Sequence, residues 1–341
     1  MPLPVSQREI VVEVTRGSHV ESVHAVDAVI ADADGGIVAI HGDGGRGVFP
    51  RSSIKALQAL PLVESGAADA FGLAPHHLAL ACASHNGEPI HTTTSGEMLA
   101  AAGLTPACLE CGAQWPHHHR DVAALVLAGE KAGAIHNNCS GKHSGFLAFA
   151  AHAGLETRGY VRFGSPVQKE IAAVLEAVTG ARHGEDNYGI DGCSIPTYEI
   201  PLAALASAYA RFGVGRDDGR HRSAAMLRLR DACMSHPDHI CGTGAFDTAM
   251  MRAMKGRVFT KIGAEGVFTI AIPELGLGAA LKCRDGNARA AEVACAWLVY
   301  SLLQQAESEL EPDQLNTLKR LRQPQLENRN AITVGELRIR S

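Results

Sequence analysis

Strand-like segments lie near both ends of this chain, and a long helical stretch separates them. The segments that alternate apolar and polar residues, or are rich in β-branched residues, are 9–15, 23–31, 36–41, 257–261, 266–272 and 276–283. The segments with apolar residues at helical spacing are 121–131, 142–153, 167–178, 202–212, 220–234, 246–255 and 288–305. A sheet must therefore be assembled from both chain ends, with helices against it. Because strands and helices do not alternate regularly, we predict an α/β sandwich with an antiparallel sheet and a helical insert, and not a doubly wound sheet.

The length of 341 residues allows one large domain or two ordinary ones, and either can bury a sizeable core. We predict a single domain over residues 1–341. Its sheet-containing part is expected at about 1–60 and 256–341, and its mainly helical part at about 61–255. The charged segment 316–341 is expected to pack at the periphery.

The charge balance favours small-molecule ligands over nucleic acid. The net charge is −5, and the sequence has no basic block that could neutralise phosphates. No apolar stretch reaches the roughly 20 residues of a membrane span. Residues 1–6 lack the pattern of a signal peptide. We therefore expect a cytoplasmic protein, in which the nine cysteines are thiols or metal ligands.

Two short motifs place a nucleophile three residues before a lysine. Ser52 precedes Lys55, and Cys139 precedes Lys142. Residues three apart share a helix face, so each amine can reach its own hydroxyl or thiol. A lysine can activate a serine only when its amine is neutral, which requires desolvation or nearby cations. Ser53 lies two residues from Lys55, on the wrong face, so Ser52 is the predicted nucleophile and Lys55 its base.

Ser84 and Lys261 follow in the order that serine acylases use. Penicillin-recognising enzymes carry S-x-x-K, S-D-N and K-T-G, and here the second and third motifs read S-H-N from Ser84 and K-I-G from Lys261. We predict that Ser84 relays a proton and that Lys261 holds Ser84 or a substrate carboxylate. An ordinary capped turn explains the residues around Ser84 equally well. Lys255, which lies close to Lys261 in the sequence, is the other candidate for this role.

The segment around Cys139 combines a thiol, an amine and an imidazole with small residues. Cys139 is either a nucleophile activated by Lys142 or a metal thiolate, and Cys241 in a loop is the best further ligand, with a core role as its alternative. A structural zinc site at Cys108, Cys111 and the histidines 117–119 is disfavoured, because finger-type spacing needs a longer gap between the pairs.

Two acidic residues are candidates for contacts near the site. Asp191 stands in an Asp-Gly sequence, where a carboxylate either holds a substrate ammonium or forms a simple turn. Glu265 follows the Lys261 motif and is placed to pair with a lysine and tune it.

These motifs together resemble the rhizobial-type asparaginases, the L-asparaginase II family, over nearly the whole chain. The matching stretches are 16–24, 49–55, 84–88, 137–143, 191–193, 246–248 and 261–266. The resemblance implies a serine β-lactamase-like fold and the hydrolysis of L-asparagine to aspartate and ammonia. It also implies two serine–lysine pairs, Ser52 with Lys55 and Ser84 with Lys261.

The same resemblance implies a zinc ion and further site residues. The implied zinc ligands are Cys139, Lys142 and Cys241, of which the lysine must first lose a proton. The residues assigned to substrate binding are Arg51, His143, Asp191 and Glu265. A homodimer is also implied. Two alternatives stay open, namely a zinc-bound hydroxide that attacks without an acyl-enzyme, and an amino-acid-binding protein without catalysis.

Overall fold

The computed structural model of the protein describes residues 5–217 and 219–340. The prediction that the chain begins without a signal peptide rests in part on residues 1–4, which lie outside the described residues. The chain divides into two compact units. The first comprises Met1–Ser53, Ile200–Val214 and Ala249–Ser341, and the second comprises Ile54–Glu199 and Gly215–Thr248. The first unit thus includes Ile200–Val214, which the sequence prediction assigns to the helical part.

The first unit contains the large sheet. The strands of the protein are β1 Val5–Gln7, β2 Ile10–Arg16, β3 His19–Asp32, β4 Ile37–His41, β5 Gly47–Val48, β6 Tyr188–Ile190, β7 Pro196–Tyr198, β8 Ile200–Pro201, β9 Phe259–Gly263, β10 Val267–Ile272, β11 Leu277–Cys283, β12 Gln325–Glu327 and β13 Thr333–Ile339. Nine of them form one sheet in the order β12-β13-β2-β3-β11-β10-β9, with β4 beside β3 and β1 beside β4. Every pairing in it is antiparallel except that of β1 with β4.

The central strands of this sheet are buried on both faces. Residues 26–31 of β3 are all fully buried, although neighbouring residues in a strand point to opposite faces. Helix α9 packs across β3, β10 and β11, and α13 packs across β2, β3, β10, β11 and β13. Gly278 lets α9 come close, because a Cβ there would lie 2.1 Å from the amide nitrogen of Ala210. An antiparallel sheet with helices against it follows, as the sequence predicts.

The second unit is mainly helical. The helices of the protein are α1 Lys55–Gln58, α2 Leu60–Glu64, α3 Ala67–Ala70, α4 Pro75–Ala81, α5 Pro89–Ala101, α6 His119–Leu127, α7 Ser140–His152, α8 Pro166–Thr179, α9 Leu202–Val214, α10 Arg220–Ser235, α11 Pro237–Ile240, α12 Phe246–Met254, α13 Ala288–Gln305 and α14 Pro312–Arg322. Short 3-10 turns lie at Arg51–Ile54, Pro106–Cys108, Ala134–His136 and Pro273–Leu275. Helix α7 is the centre of the second unit, with its first eleven residues buried.

Gly141 explains how α7 lies so near α4. A Cβ at this position would stand 2.3 Å from the Leu80 carbonyl oxygen, closer than any side chain tolerates. The small residues after Cys139 therefore serve helix packing within the second unit. They bring the first turn of α7 next to the end of α4 and the segment that follows it.

The predicted antiparallel sheet from both chain ends, with a helical insert, is confirmed. The C-terminal residues pack at the periphery as expected, and they do so as part of the sheet, because β13 pairs with β2 and β12 forms the edge strand. Charged residues interrupt the apolar pattern of β13, so the sequence did not predict this strand. In the structure, Arg338 and Arg340 bind Glu13 of the neighbouring strand β2. Within residues 5–217 and 219–340, no helix combines the length and apolar character that crossing a bilayer requires.

Candidate active site

Ser52 lies in a tight turn of the first unit. The turn Arg51–Ile54 is a 3-10 helix, and Lys55 begins α1 directly after it, so Ser52 and Lys55 are separated by about one helical turn of chain. Arg51 has a φ of +52°, a left-handed conformation that costs a non-glycine residue on the order of 1–3 kcal/mol. Ser52 is partly exposed. Such strain just before a candidate nucleophile is typical of a functional turn.

Ser53 has a structural position in the same turn. Its side chain is fully buried, and its hydroxyl donates to the Pro50 carbonyl at 2.8 Å. Its own carbonyl accepts from the hydroxyls of Tyr209 at 2.5 Å and Thr269 at 2.9 Å. These bonds anchor the turn to α9 and β10 of the same unit.

Lys261 is fully buried in β9, where its amine donates to the Ile262 carbonyl at 3.1 Å. The glycine of the K-I-G motif brings this strand against the Ser52 turn, because a Cβ on Gly263 would lie 2.3 Å from the Pro50 carbonyl oxygen. Lys255, the other candidate, is 66% exposed and pairs with Glu311 at 3.5 Å. The structure therefore separates the two lysines by burial, and Lys261 belongs to the strand beside the Ser52 turn.

Glu265 occupies the turn between β9 and β10, with a φ of +61° and an exposed side chain. The Lys282 amine donates to the backbone carbonyl of Glu265. This contact uses the backbone of Glu265 and not its carboxylate, so the pairing of the carboxylate with a lysine and its role toward substrate stay predictions.

In the second unit, the Lys55 amine is fully buried among three hydrogen-bond acceptors. It donates to the Ala83 carbonyl at 2.6 Å, to the Ser84 hydroxyl at 2.8 Å and to the Cys139 sulfur at 3.1 Å. Lys55 therefore contacts the second predicted serine directly. The amine of the first motif and the hydroxyl of the second can exchange a proton over this distance.

The backbone around Ser84 is held on both sides, which fixes that hydroxyl. The Ser84 amide donates to the Ile240 carbonyl at 2.9 Å, and the Asn86 amide donates to the Cys241 carbonyl at 2.9 Å. Between them, the His85 amide donates to the Asn138 carbonyl at 3.1 Å. The segment after α4 is thus positioned by the residue before Cys139 and by the end of α11.

Two cysteines and a second lysine continue the site at the start of α7. The Lys142 amine, 1% exposed, donates to the Cys193 sulfur at 3.0 Å, and the Cys193 thiol shares a hydrogen bond with Cys139. We call Lys55, Ser84, Cys139, Lys142 and Cys193 the thiol–amine cluster. All five belong to the second unit.

Charges within the thiol–amine cluster decide where its protons lie. The hydrogen bond from Cys193 and the positive charges of Lys55 and Lys142 hold the pKa of Cys139 well below its usual range, although burial opposes this. The same hydrogen bond, together with burial, raises the pKa of Cys193. Burial alone would lower the pKa of Lys142, but Cys193, Cys139 and Asp191 outweigh it and raise that pKa. Cys139 is therefore a thiolate that accepts from Cys193.

Asp191 and Cys241 differ in how they relate to this cluster. Asp191 forms a turn through its own backbone and the amide of Ser194, and its negative charge acts on Lys142. The Cys241 thiol lies 3.3 Å from Asp247 Oδ2, while its carbonyl binds the segment after Ser84. Cys193 is the second thiol at the cluster, two residues after Asp191.

His143 follows Lys142 and is fully buried. Burial, and then the charges of Lys142 and Lys55, hold its pKa well below the usual range, so the ring is neutral. Tyr160 accepts from the Glu110 amide at 3.1 Å and lies 2.7 Å from His143 Nδ1. In the tautomer in which the Tyr160 hydroxyl donates to Nδ1, the ring proton is on Nε2. That Nε2 has no hydrogen-bond partner among the described residues.

The thiol–amine cluster fits a zinc ion by the chemistry of its donors. Zinc prefers sulfur and nitrogen ligands in tetrahedral sites, and Cys139, Cys193 and Lys142 bring two sulfurs and one amine together in a buried position. Cys139 is already a thiolate, the form that binds metal. A lysine ligand must release its proton when the metal binds.

Cys193 and Tyr160 are not among the site residues predicted from the sequence. Cys193 follows directly after the Asp-Gly pair at 191–192, of which only the carboxylate was expected to act. Tyr160 is far from α7 in sequence and has no local motif. Only the folded second unit brings Tyr160 within hydrogen-bond distance of His143.

Comparison with known proteins defines the family. A sequence model described as L-asparaginase II matches residues 12–339, almost the whole chain. The chain belongs to the L-asparaginase II family. The predicted family membership is thereby confirmed, and an amide-hydrolysing enzyme that acts on a small molecule follows at the level of the family.

Two solved structures are similar to this chain at low sequence identity. A β-lactamase from Mycobacterium bovis is 14% identical with a TM-score of 0.43, and the alignment covers 82% of this chain and 94% of that chain. A candidate β-lactamase from Bacteroides dorei is 12% identical with a TM-score of 0.33, covering 81% of this chain and 85% of that chain. No curated protein sequence matches the chain significantly.

Proposed function

We propose that the protein is an L-asparagine amidohydrolase that releases L-aspartate and ammonia through an acyl-enzyme on Ser52. The observation that carries the proposal is the environment of Lys55 within a chain of the L-asparaginase II family. Its amine is fully buried, follows Ser52 by three residues, and contacts the Ser84 hydroxyl at 2.8 Å. A buried amine that contacts the Ser84 hydroxyl and follows a second serine by three residues suits a reaction in which a proton leaves a nucleophile and reaches a leaving group.

The first half of the reaction forms the acyl-enzyme. The Ser52 oxygen attacks the side-chain amide carbon of asparagine, and the Lys55 amine takes the hydroxyl proton once it has released its own proton to solvent. The carbon–nitrogen bond then breaks, and the proton passes from Lys55 through Ser84 to the departing nitrogen, which leaves as ammonia. In the second half, water attacks the ester, gives its proton back along the same groups, and releases aspartate with Ser52 restored.

Lys261, Arg51, His143, Asp191 and Glu265 are proposed to bind or orient the substrate around this chemistry. The buried Lys261, in the strand against the Ser52 turn, is the proposed distal lysine in preference to the exposed Lys255. Among the others, His143 has the clearest support, because its buried Nε2–H lacks an acceptor within the described part of the chain.

We also propose a zinc ion held by Cys139, Lys142 and Cys193, with Cys193 in place of the sequence-predicted Cys241. Cys193 is preferred because its thiol forms hydrogen bonds with both Cys139 and Lys142. The Cys241 thiol lies 3.3 Å from Asp247. When bound, zinc would neutralise the thiolates and fix the neighbouring groups. The homodimer and the cytoplasmic location stay predictions.

Replacement of Ser52 tests the proposal against a matched neighbour. Ser52→Ala should lower ammonia release from asparagine by at least about 10³-fold, because no covalent step can occur. Ser53→Ala is the control, since it removes a hydroxyl one residue away that only bonds Pro50. Ser53→Ala should keep most of the activity. If Ser52→Ala retains activity close to the wild type, the proposed nucleophile is wrong.

A further inference from the structure

Four histidines and a glutamate gather in the second unit, and the proposed reaction uses none of them. His76 and His77 lie in the first turn of α4, Glu97 lies on α5, His236 directly precedes α11, and His239 lies within α11. All five lie in the second unit, and none belongs to the thiol–amine cluster. We call them the histidine cluster.

The rings of the histidine cluster are close neighbours. The centroid of His76 lies 4.0 Å from that of His77, 5.5 Å from His239 and 6.0 Å from His236. His236 and His239 are 5.8 Å apart, with their ring planes at 88°. Two imidazoles bound to one zinc at about 2.1 Å have centroids about 5 Å apart, so the rings of His76, His236 and His239 must come closer and turn their nitrogens toward a common point to hold one ion.

Glu97 adds a carboxylate to these rings. Its Oε2 lies 3.9 Å from His76 Nε2 and 3.2 Å from His77 Nε2. The candidate ligand atoms of His76, His77 and Glu97 all lie within 4.8 Å of one another. The side chain of Glu97 is 53% exposed and that of His76 is 34% exposed, so an ion can reach them from solvent.

His77 has a different role from the other histidines, because its tautomer is fixed. Its Nδ1 accepts the Ala74 amide at 3.0 Å, which caps α4, so the neutral ring carries its proton on Nε2. That proton points to Glu97 Oε2. A histidine that donates to a ligating carboxylate orients the carboxylate and does not need to bind the metal itself.

The protonation of the cluster is compatible with metal binding. Burial and the charges of neighbouring histidines lower the pKa of His239 to about 4, and burial together with His76 lowers the pKa of His236. Neutral imidazoles keep a lone pair available at neutral pH.

We propose that the histidine cluster binds a divalent transition-metal ion through His76, Glu97, His236 and His239, with His77 orienting Glu97. Imidazole with a carboxylate suits Zn²⁺, Ni²⁺ and Cu²⁺, whereas Mg²⁺ and Ca²⁺ require oxygen ligands. The site is distinct from the thiol–amine cluster in its donors, since it contains no sulfur.

Titration with Ni²⁺ tests this site in the full-length, tag-free protein that has first been loaded with one equivalent of zinc, which fills the thiol–amine cluster. Calorimetry should show one further Ni²⁺ per chain, and Mg²⁺ should not bind or compete. His76→Ala, His239→Ala and Glu97→Gln should each weaken Ni²⁺ binding by more than about tenfold, the effect that even outer-shell partners have. His221→Ala, an exposed histidine of α10 outside the cluster, is the control and should bind like the wild type.

Two further readouts make the outcome decisive. Cys193→Ser should leave the Ni²⁺ site intact, and Co²⁺ bound there should lack the near-ultraviolet absorption of a cobalt–thiolate bond. Thermal unfolding checks that each variant is folded, and Ni²⁺ should raise the midpoint of the wild type and not that of His76→Ala. The proposal is overturned if the wild type loaded with one equivalent of zinc binds no Ni²⁺. It is equally overturned if the cluster variants bind like the control, or if binding depends on Cys193.

Discussion

Two buried polar clusters, one in each unit, differ in the kind of groups that they bring together. In the first unit, Asp27 is fully buried between two arginines, with contacts of 2.6 Å to Arg284 and 3.2 Å to Arg46. We call these three residues the Asp27 ion network. The thiol–amine cluster of the second unit instead combines amines, thiols and a hydroxyl.

The difference lies in whether the protons can move. An arginine stays charged at any ordinary pH, so the Asp27 ion network has one stable charge state and serves structure. Amines and thiols exchange protons in response to their neighbours, so the thiol–amine cluster is suited to catalysis and metal binding. Substitutions in the first cluster should therefore reduce stability, and substitutions in the second should reduce activity.

Lys55→Met is expected to have the largest effect. It should lower the rate of asparagine hydrolysis by about 10³-fold or more, since the base is lost. The free energy of unfolding should also fall, because the Cys139 thiolate and the Ser84 hydroxyl lose a buried partner, but the variant should stay folded without denaturant. Ammonia release and urea unfolding of the same preparation measure both. A variant that is active, or inactive only because it unfolds, would break the comparison.

Asp27→Ala should give the opposite pattern. It leaves two arginines without their buried partner and should lower the free energy of unfolding by about 3–5 kcal/mol, with little change in the turnover number of the folded enzyme. Asp313→Ala, an exposed acid near the start of α14, is the control and should cost less than about 1 kcal/mol. Equal losses in the two variants would contradict a structural role for Asp27.

Cys193→Ser and Cys241→Ser separate the two candidates for the third zinc ligand. Loss of Cys193 should lower zinc affinity by about 10–100-fold or more, because a thiolate ligand is replaced by a poor one. Cys241→Ser should keep zinc at the wild-type ratio. Metal content after dialysis against a weak chelator measures this. Zinc loss in Cys241→Ser alone would restore the ligand set predicted from sequence.

Tyr160→Phe should have a smaller effect on catalysis. Without the hydroxyl, nothing donates a hydrogen bond to Nδ1 of His143. The ring proton is then no longer held on Nε2, where it could donate to substrate. The expected loss in kcat/KM for asparagine is about tenfold, which corresponds to the loss of one hydrogen bond. The free energy of unfolding should fall by at most about 1–3 kcal/mol, because the buried groups that contact the hydroxyl lose a partner. Steady-state kinetics and unfolding distinguish these. Unchanged kinetics would show that His143 needs no such orientation.

The smallest expected effect is on the pH dependence of stability. Burial opposes ionisation of Asp27, but the hydrogen bond from Arg284, the Asp43 amide and the arginine charges together lower its pKa. A carboxyl with a lowered folded-state pKa stabilises the protein above its unfolded value of about 3.9 and loses this as pH falls further. Wild-type unfolding free energy should therefore fall below about pH 4 more steeply than that of Asp27→Asn. Parallel curves would remove Asp27 as the cause.

The sequence predicted most of the fold but only part of the site. Periodicity located β2, β3, β9, β10 and β11 and the helices from α6 to α10, because each has a regular apolar face of its own. It missed β13, whose apolar pattern is broken by charges that find partners only across the strand pair. Local patterns do not contain such pairings.

The candidate site shows the same difference between local patterns and contacts between distant segments. Ser52 and Lys55 could be proposed from the sequence because their spacing is local, and Lys261 because of the glycine two residues later. The contact of Lys55 with Ser84, and that of Cys193 with Lys142, join segments 29 and 51 residues apart. No spacing rule predicts them. The histidine cluster was missed for this reason too, since its three segments meet only when α4, α5 and α11 pack.

Mass spectrometry of the enzyme quenched in acid during turnover tests the central claim most directly. If Ser52 is the nucleophile activated by Lys55, the peptide that contains Ser52 should carry an aspartyl group, and Lys55→Met should abolish the adduct. Ser53→Ala should leave it unchanged. An aspartyl group on Ser84 or Cys139, or full turnover in Ser52→Ala with no adduct anywhere, would contradict the account.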